Sequence, residues 1–109
     1  MIIYLAQPYS INADENLREE RYQIAVKMVA KFMNEGYNIF SPILNSHEPA
    51  RQYGLPNTWE YWERVDKEYI AICGELWVLC LPGWLESKGV AAEIEYAEQI
   101  GIPIKYIEV

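Results

Sequence analysis

Short apolar segments alternate with longer segments of helical periodicity along the whole chain. Residues 2–6, 75–81 and 103–107 are mostly apolar, and residues 38–41 have the apolar pair Ile39-Phe40 at their centre. A proline follows the segments 2–6, 38–41 and 75–81 within two residues. Apolar runs that end at a turn signal are typical of strands buried on both faces of a parallel sheet. Because strands that alternate with helices pair in parallel, the pattern predicts an α/β fold. We expect a small open parallel sheet, Rossmann-like or flavodoxin-like, with helices on both faces.

Three segments between these strands have the spacing of amphipathic helices. They cover about residues 13–35, 59–73 and 87–100, with apolar side chains three and four positions apart. Asn12 is the expected N-cap of the first helix, and Gly101 is the expected stop of the last. These boundaries predict that each helix follows or precedes a strand after a short connection.

The predicted strands lead into three segments that carry most of the aromatic and polar loop residues, namely 7–10, 42–58 and 82–89. The middle segment contains three prolines and Gly54, and predicts a long loop with room for one helical turn. Small ligands bind beyond the carboxyl ends of the strands in open parallel sheets, so we expect a small-molecule pocket there. The sequence has neither a G-x-G-x-x-G motif nor a P-loop motif.

Length and charge limit the classes of protein that the chain fits. Its 109 residues predict a single domain over residues 1–109. The net charge of −7 repels a phosphate backbone, so a nucleic acid polymer is not an expected partner.

The cysteines and the amino-terminal segment bear on cofactors and location. Cys73 and Cys80 are expected to be buried free thiols in a reducing compartment. With a single histidine in the chain, no metal-ligand cluster is visible, and we expect neither a metal nor a cofactor. The start of the chain lacks the basic region of a signal peptide, and no apolar run is long enough for a membrane span, so we expect a cytoplasmic protein.

Two carboxylates lie on or beside apolar helix stripes. Glu93 lies next to the stripe formed by Val90 and Ala97, early in its helix, where the dipole favours an anionic carboxylate. It is either a nucleophile or a structural acid of the helix entry. Asp66 shares a face with Tyr69 and other apolar residues, so it needs either an ion-pair partner or a role in the pocket.

Other candidates lie in the loops at the same edge of the sheet. Ser87 is an N-cap, an anion ligand together with the amides after it, or both, and Gly89 allows a ligand to approach the backbone. His47 either makes a structural hydrogen bond or contacts substrate. Tyr9 and Trp84 either stack on a base or pack within their loops.

Two sequence motifs resemble those of a known family. The opening run is similar to the first strand and loop of the nucleoside 2-deoxyribosyltransferase family, which includes nucleotide N-glycosidase relatives; it is Tyr4-Leu5-Ala6-Gln7-Pro8-Tyr9. A second run resembles the nucleophile motif of that family; it is Ser87-x-Gly89-x-x-x-Glu93-Ile94-x-Tyr96-Ala97. Asp66 matches an aspartate that the family carries on the preceding helix. The resemblance covers most of the chain in order and spacing.

The resemblance implies cleavage or transfer at the N-glycosidic bond of a nucleoside or a nucleoside 5′-monophosphate. Glu93 would attack the anomeric carbon, Tyr4 would orient it, and Asp66 would bind or protonate the leaving base. The substrate would contact a further group of residues: Pro8, Tyr9, His47, Trp84, Ser87 and Gly89. Ser87 stands where the transferases carry an acid. A serine at this position resembles the relatives that act on 5′-monophosphates.

Two other functions remain open from the sequence. The same pocket would suit a non-catalytic protein that binds a nucleotide or an ADP-ribose-like ligand. Alternatively, the surplus aromatic residues, including Trp59 and Trp62, belong to the core or to an interface of an interaction protein. Their number and the family resemblance both predict a homo-oligomer.

Overall fold

A computed structural model, which describes all 109 residues, confirms the predicted α/β fold. Its sheet has four parallel strands in the order β2-β1-β3-β4. Their bounds are β1 Ile2–Ala6, β2 Asn38–Phe40, β3 Glu75–Leu79 and β4 Ile104–Ile107. The two central strands, β1 and β3, are the most apolar, because both of their faces are covered.

Helices cover both faces of the sheet. They are α1 Glu15–Asn34, α2 Pro42–Tyr53, α3 Trp59–Ala71 and α4 Lys88–Ile100, and a short 3₁₀ turn spans Trp84–Glu86. None of them combines the length and the apolar character that a bilayer crossing requires. Alternation along the strands divides the core into two clusters. Ile3 and Leu5 pack with α1 on one face, whereas Tyr4 and Ala6 pack with α3 and α4 on the other.

The prediction of a long loop over residues 42–58 is wrong, because most of this segment forms α2. Ser41 caps the helix by accepting a hydrogen bond from the Leu44 N–H at 3.3 Å. Pro42 occupies the first turn, where a missing N–H costs no hydrogen bond. Pro49 lies inside the helix, where proline is normally unfavourable, and Gly54 ends the helix in a left-handed conformation with φ of 66°.

The other helix ends lie within about two residues of their expected positions, with one change of cap. Asp14, not Asn12, caps α1, because its side chain accepts the Leu17 N–H at 2.8 Å. Asn12 itself adopts a left-handed turn with φ of 49°. Gly101 ends α4, as predicted. Cys73 is buried, but Cys80 is only half-buried, because it lies just beyond the end of β3.

Candidate active site

A pocket of about 410 Å³ opens at the carboxyl ends of the strands, and we call it the edge pocket. Its wall combines the loop after β1, the inner side of α2, the start of α3 and the segment that leads into α4. Residues from all three of the segments expected at this edge therefore meet around one cavity. A volume of this size suits a ligand of nucleoside size.

A hydrogen bond joins Tyr4 to Glu93, and Glu93 lines the edge pocket. The Tyr4 hydroxyl donates to Glu93 Oε2, and both side chains are buried. Tyr4 belongs to β1 and Glu93 to α4, so the packing of this helix on the sheet brings the two side chains together. Glu93 is the sixth residue of α4, beyond the free N–H groups of the first turn. The helix dipole therefore contributes little to its charge, contrary to the expectation from the sequence, and the phenol is the group that stabilises the carboxylate.

The surroundings of Glu93 favour its protonated form at neutral pH. Burial raises the pKa of Glu93 to about 8, and the negative charge of Asp66 adds to the rise. The hydrogen bond from Tyr4 acts in the opposite direction. Burial and the charge of Glu93 hold the pKa of Tyr4 well above its usual value, so Tyr4 remains a hydroxyl donor.

Asp66 is the second carboxyl group of the edge pocket. It lies in the middle of α3 and lines the cavity. Its neighbour Lys67 binds Glu63 at 2.7 Å instead, so the ion pair considered from the sequence does not form. Burial raises the pKa of Asp66 to about 7. Two carboxyl groups with pKa values near neutrality, in one pocket, are suited to exchange a proton during a reaction.

Ser87 and Gly89 bring the start of α4 to the pocket wall. Ser87 is buried, and its Oγ accepts the Val90 N–H at 3.2 Å, which confirms the predicted N-cap. A methyl group added at Gly89 would lie 3.7 Å from the nearest ring carbon of Trp59. Such a methyl group would be in ordinary van der Waals contact with this ring, so the Gly89 backbone and the Trp59 ring lie close together in the pocket wall.

Tyr9 also lines the edge pocket, but His47 lies behind it. The Tyr9 hydroxyl and His47 Nδ1 are 2.5 Å apart, and His47 Nε2 lies 2.6 Å from Glu19 Oε2. A carboxylate at Nε2 requires an N–H there, so Nδ1 accepts from Tyr9. His47 is buried and stacks on Tyr22 with ring centroids 4.1 Å apart. It therefore orients Tyr9 and does not itself reach the cavity.

Besides His47 and the fully buried Tyr4, which contacts the wall residue Glu93, the candidates that the structure does not bring to the pocket wall are Pro8 and Trp84. Pro8 is fully buried directly after Gln7. Trp84 begins the 3₁₀ turn, and its ring packs 5.6 Å from the ring of Tyr106 on β4. The turn directs this indole away from the cavity, so its contact with substrate is not supported by the fold.

One group of side chains has the composition of a metal site. One ligand atom from each of Glu19, His47 and Glu48 lies within 4.8 Å of the others. Each atom already has a protein partner, because His47 binds Glu19 and Glu48 binds Arg51 at 2.9 Å. The cluster thus serves as a hydrogen-bond network between α1 and α2.

The sequence profile of a family described as a domain of unknown function (DUF1937) matches residues 1–109. The chain belongs to this family. A comparison with curated proteins finds no match. The case for a function of this DUF1937 domain therefore depends on its own residues.

Several residues of the edge pocket were not expected from the sequence. Trp59 and Trp62, assigned to the core or an interface, line the cavity at the start of α3. An apolar helix stripe does not distinguish a core from a pocket wall, so periodicity alone misses them. Gln7 also lines the cavity, and its place directly after β1, at the ligand edge, is the signal that would have found it.

Proposed function

We propose that this DUF1937 domain is a cytoplasmic enzyme that cleaves or transfers at the N-glycosidic bond of a nucleoside or nucleoside 5′-monophosphate. The buried hydrogen bond between Tyr4 and Glu93, in the same pocket as Asp66, is the observation that supports this most. Burying Glu93 and half-burying Asp66 without a cation is unfavourable for folding. Chemistry that uses a carboxylate and a carboxylic acid together gives this arrangement a purpose.

In the first step, a Glu93 oxygen forms a bond to the anomeric carbon while the bond from that carbon to the base nitrogen breaks. The electron pair of the broken bond goes to the base, and the proton of Asp66 neutralises it. The product is a glycosyl ester on Glu93, formed through an oxocarbenium-like transition state. Tyr4 holds the nucleophile by its hydroxyl group.

In the second step, water or a second base attacks the same carbon from the face opposite Glu93, and the ester bond breaks. Asp66, now a carboxylate, takes the proton that the attacking group loses. The two inversions give net retention at the anomeric carbon. Hydrolysis and transfer share this intermediate, and they differ only in which acceptor reaches it.

The raised pKa values fit a pair that shares these roles. With a pKa of about 8, Glu93 is mostly protonated in the free enzyme at pH 7. The reaction therefore proceeds from the form in which the proton of the pair lies on Asp66 and Glu93 is ionised, and the positive charge that develops on the sugar favours that form. Asp66, with a pKa of about 7, readily alternates between acid and base near neutral pH.

The decisive experiment measures release of free base by chromatography from a panel of nucleosides and their 5′-monophosphates, with and without an acceptor base. Glu93→Gln keeps the shape of the side chain and should abolish release. Glu98→Gln, on the exposed side of the same helix, is the matched control and should retain it. Mass spectrometry should detect a glycosyl adduct on Glu93. If the folded protein releases base from no member of the panel, the proposal fails.

A second candidate is a protein that binds a nucleotide or an ADP-ribose-like ligand without turnover. The raised pKa of Glu93 favours this alternative, because a protonated carboxyl group is a hydrogen-bond donor and a poor nucleophile. Calorimetric binding without any product would support it. Assembly into a homo-oligomer stays a prediction, to be tested by sedimentation velocity.

A further inference from the structure

The charges around the edge pocket are strongly unbalanced. Four carboxyl side chains line it, from Glu60, Asp66, Glu86 and Glu93, whereas Lys88 is the only basic side chain in its wall. Lys88 Nζ donates to Glu60 Oε1, so the one basic side chain of the wall is paired with one of its carboxylates. Protonation of the buried Glu93 and the half-buried Asp66 would still leave the wall with a net negative charge. A phosphate in this pocket would therefore meet repulsion and no unpaired cation.

The nearby guanidinium group of Arg21 does not change this balance. Its Nη1 donates to the carbonyl oxygens of Tyr9 and Ile11, both at 2.8 Å. Arg21 is buried and is not part of the cavity wall. Arg21 stabilises the loop after β1 from the side that faces away from the cavity, and is not placed to bind an anion in the pocket.

Gln7 adds an acceptor that lacks a donor. Its Nε2 donates to the carbonyl oxygen of Arg21 at 3.0 Å, which fixes the orientation of the amide. Its Oε1 is the one buried side-chain polar atom of the chain with no hydrogen-bond partner. Gln7 is 5% exposed and belongs to the pocket wall. A buried acceptor without a donor is unfavourable, and a ligand hydroxyl or N–H would satisfy it, whereas an ionised phosphate offers no donor.

We propose that the edge pocket selects an uncharged ligand that offers hydrogen-bond donors, that it discriminates against a phosphate, and that Gln7 Oε1 binds one of those donors. Within the proposed function, on which the identity of the ligand rests, the substrate is a nucleoside with a free 5′-hydroxyl and not its 5′-monophosphate. This is the opposite of what Ser87 suggests by resemblance. Ser87 lies in the pocket wall as the N-cap of α4, but its neutral hydroxyl supplies no positive charge to offset the carboxylates around it.

Matched ligands test the charge argument. Adenosine and thymidine are each compared with their own 5′-monophosphates, by calorimetry for binding and by base release for turnover. We expect each nucleoside to be preferred by about tenfold or more. Glu60→Gln removes one negative charge and frees Lys88, so the preference should shrink severalfold at low salt. Glu98→Gln, outside the pocket, should leave it unchanged. Equal or better use of the monophosphates overturns the proposal.

Ligands that lack single donors test Gln7. The 2′-deoxy, 3′-deoxy and 5′-deoxy nucleosides remove sugar hydroxyls one at a time, and purine riboside removes the amino group of adenosine. We expect one deletion to weaken binding to the wild type by about tenfold and to have little effect in Gln7→Met. The deletion that loses its effect identifies the donor as sugar hydroxyl or base N–H. If Gln7→Met does not fold, the wild-type series decides. The proposal is contradicted if no single deletion weakens binding to the wild type by more than twofold.

The two proposals fail in different ways. If nucleosides bind and 5′-monophosphates do not, but no base is released, the proposed enzyme fails and the ligand preference stands. If base is released from 5′-monophosphates only, the enzyme stands and the ligand preference is wrong. If neither kind of ligand binds or reacts, both are wrong.

Discussion

The two sides of the edge pocket each contain a tyrosine hydroxyl bonded to a titratable side chain, yet the two clusters differ in solvation. On the α3 and α4 side, Tyr4 binds Glu93, and both are buried. On the α1 and α2 side, Tyr9 binds His47, which leads outward to the half-exposed Glu19. The first cluster ends inside the protein, whereas the second ends in water.

This difference decides the chemistry of the two carboxyl groups. Burial raises the pKa of Glu93, whereas hydrogen bonds from Gln23 and then His47 lower the pKa of Glu19. Glu19 is thus an ordinary surface carboxylate that orients an imidazole. Similar residue types therefore give the proposed reactive site on one side and a structural support on the other.

The largest effect is expected for the two glutamates. Glu93→Gln should reduce base release by about 10³-fold or more, because it removes the attacking oxygen. Glu19→Gln, which keeps a hydrogen-bond acceptor for His47, should change it by less than about threefold. Initial rates on the best substrate of the panel measure both, with circular dichroism to verify folding. Comparable losses in both variants would remove the distinction between the clusters.

The two tyrosines come next. Tyr4→Phe removes the hydrogen bond that favours ionised Glu93, so kcat should fall by about 10–100-fold. The same change should raise the pKa of Glu93, because the hydrogen bond is its lowering influence, and the acidic limb of the pH–rate profile should move to higher pH. Tyr9→Phe should leave that limb where it is. A profile that is identical in wild type and Tyr4→Phe argues against a role for Tyr4 in positioning the nucleophile.

Part of this arrangement could be predicted from the sequence. The strands predicted at residues 2–6 and 75–81 correspond to β1 and β3, although β3 ends two residues earlier, at Leu79, because short apolar runs in a small domain are typical of buried strands. Glu93 and Asp66 were also identifiable, since a carboxyl group on or beside an apolar stripe requires an explanation. In both cases the signal lies within a few residues of the position that it concerns.

The parts that could not be predicted depend on longer distances. Tyr9 and His47 lie 38 positions apart, and they meet only because α2 packs beside α1. The helix itself was missed because the prolines suggest a loop, while the Ser41 cap and the position of Pro42 support a helix start. The lack of a partner for Gln7 Oε1 likewise depends on the three-dimensional fold, because it requires that no donor of the chain lies within hydrogen-bond distance.

The clusters should also differ in how they make stability depend on pH. Glu93 has a raised pKa in the folded state, so its contribution is fully present below about pH 4.5 and is lost as the pH rises to about 8. Glu19 has a lowered pKa, so its contribution is lost only as the pH falls below its ordinary range. Between pH 5 and 8, the free energy of unfolding should fall by about 1.4 kcal/mol per pH unit for each proton released. Urea unfolding at several pH values measures this slope, and Glu93→Gln should reduce it. A slope that is unchanged in this variant would mean that Glu93 is ionised throughout.

The smallest effect is expected at His47, whose role is to hold Tyr9 and not to react. His47→Gln keeps a polar side chain at the buried position but shortens its reach between Tyr9 and Glu19. The free energy of unfolding should fall by about 1–2 kcal/mol, because a buried hydrogen-bond network becomes incomplete. KM should rise a few-fold as Tyr9 loses its orientation in the pocket wall, while kcat stays within about twofold of wild type. A fall in kcat comparable to that of Tyr4→Phe would instead place His47 in the reaction itself, and would make the two sides of the pocket equivalent after all.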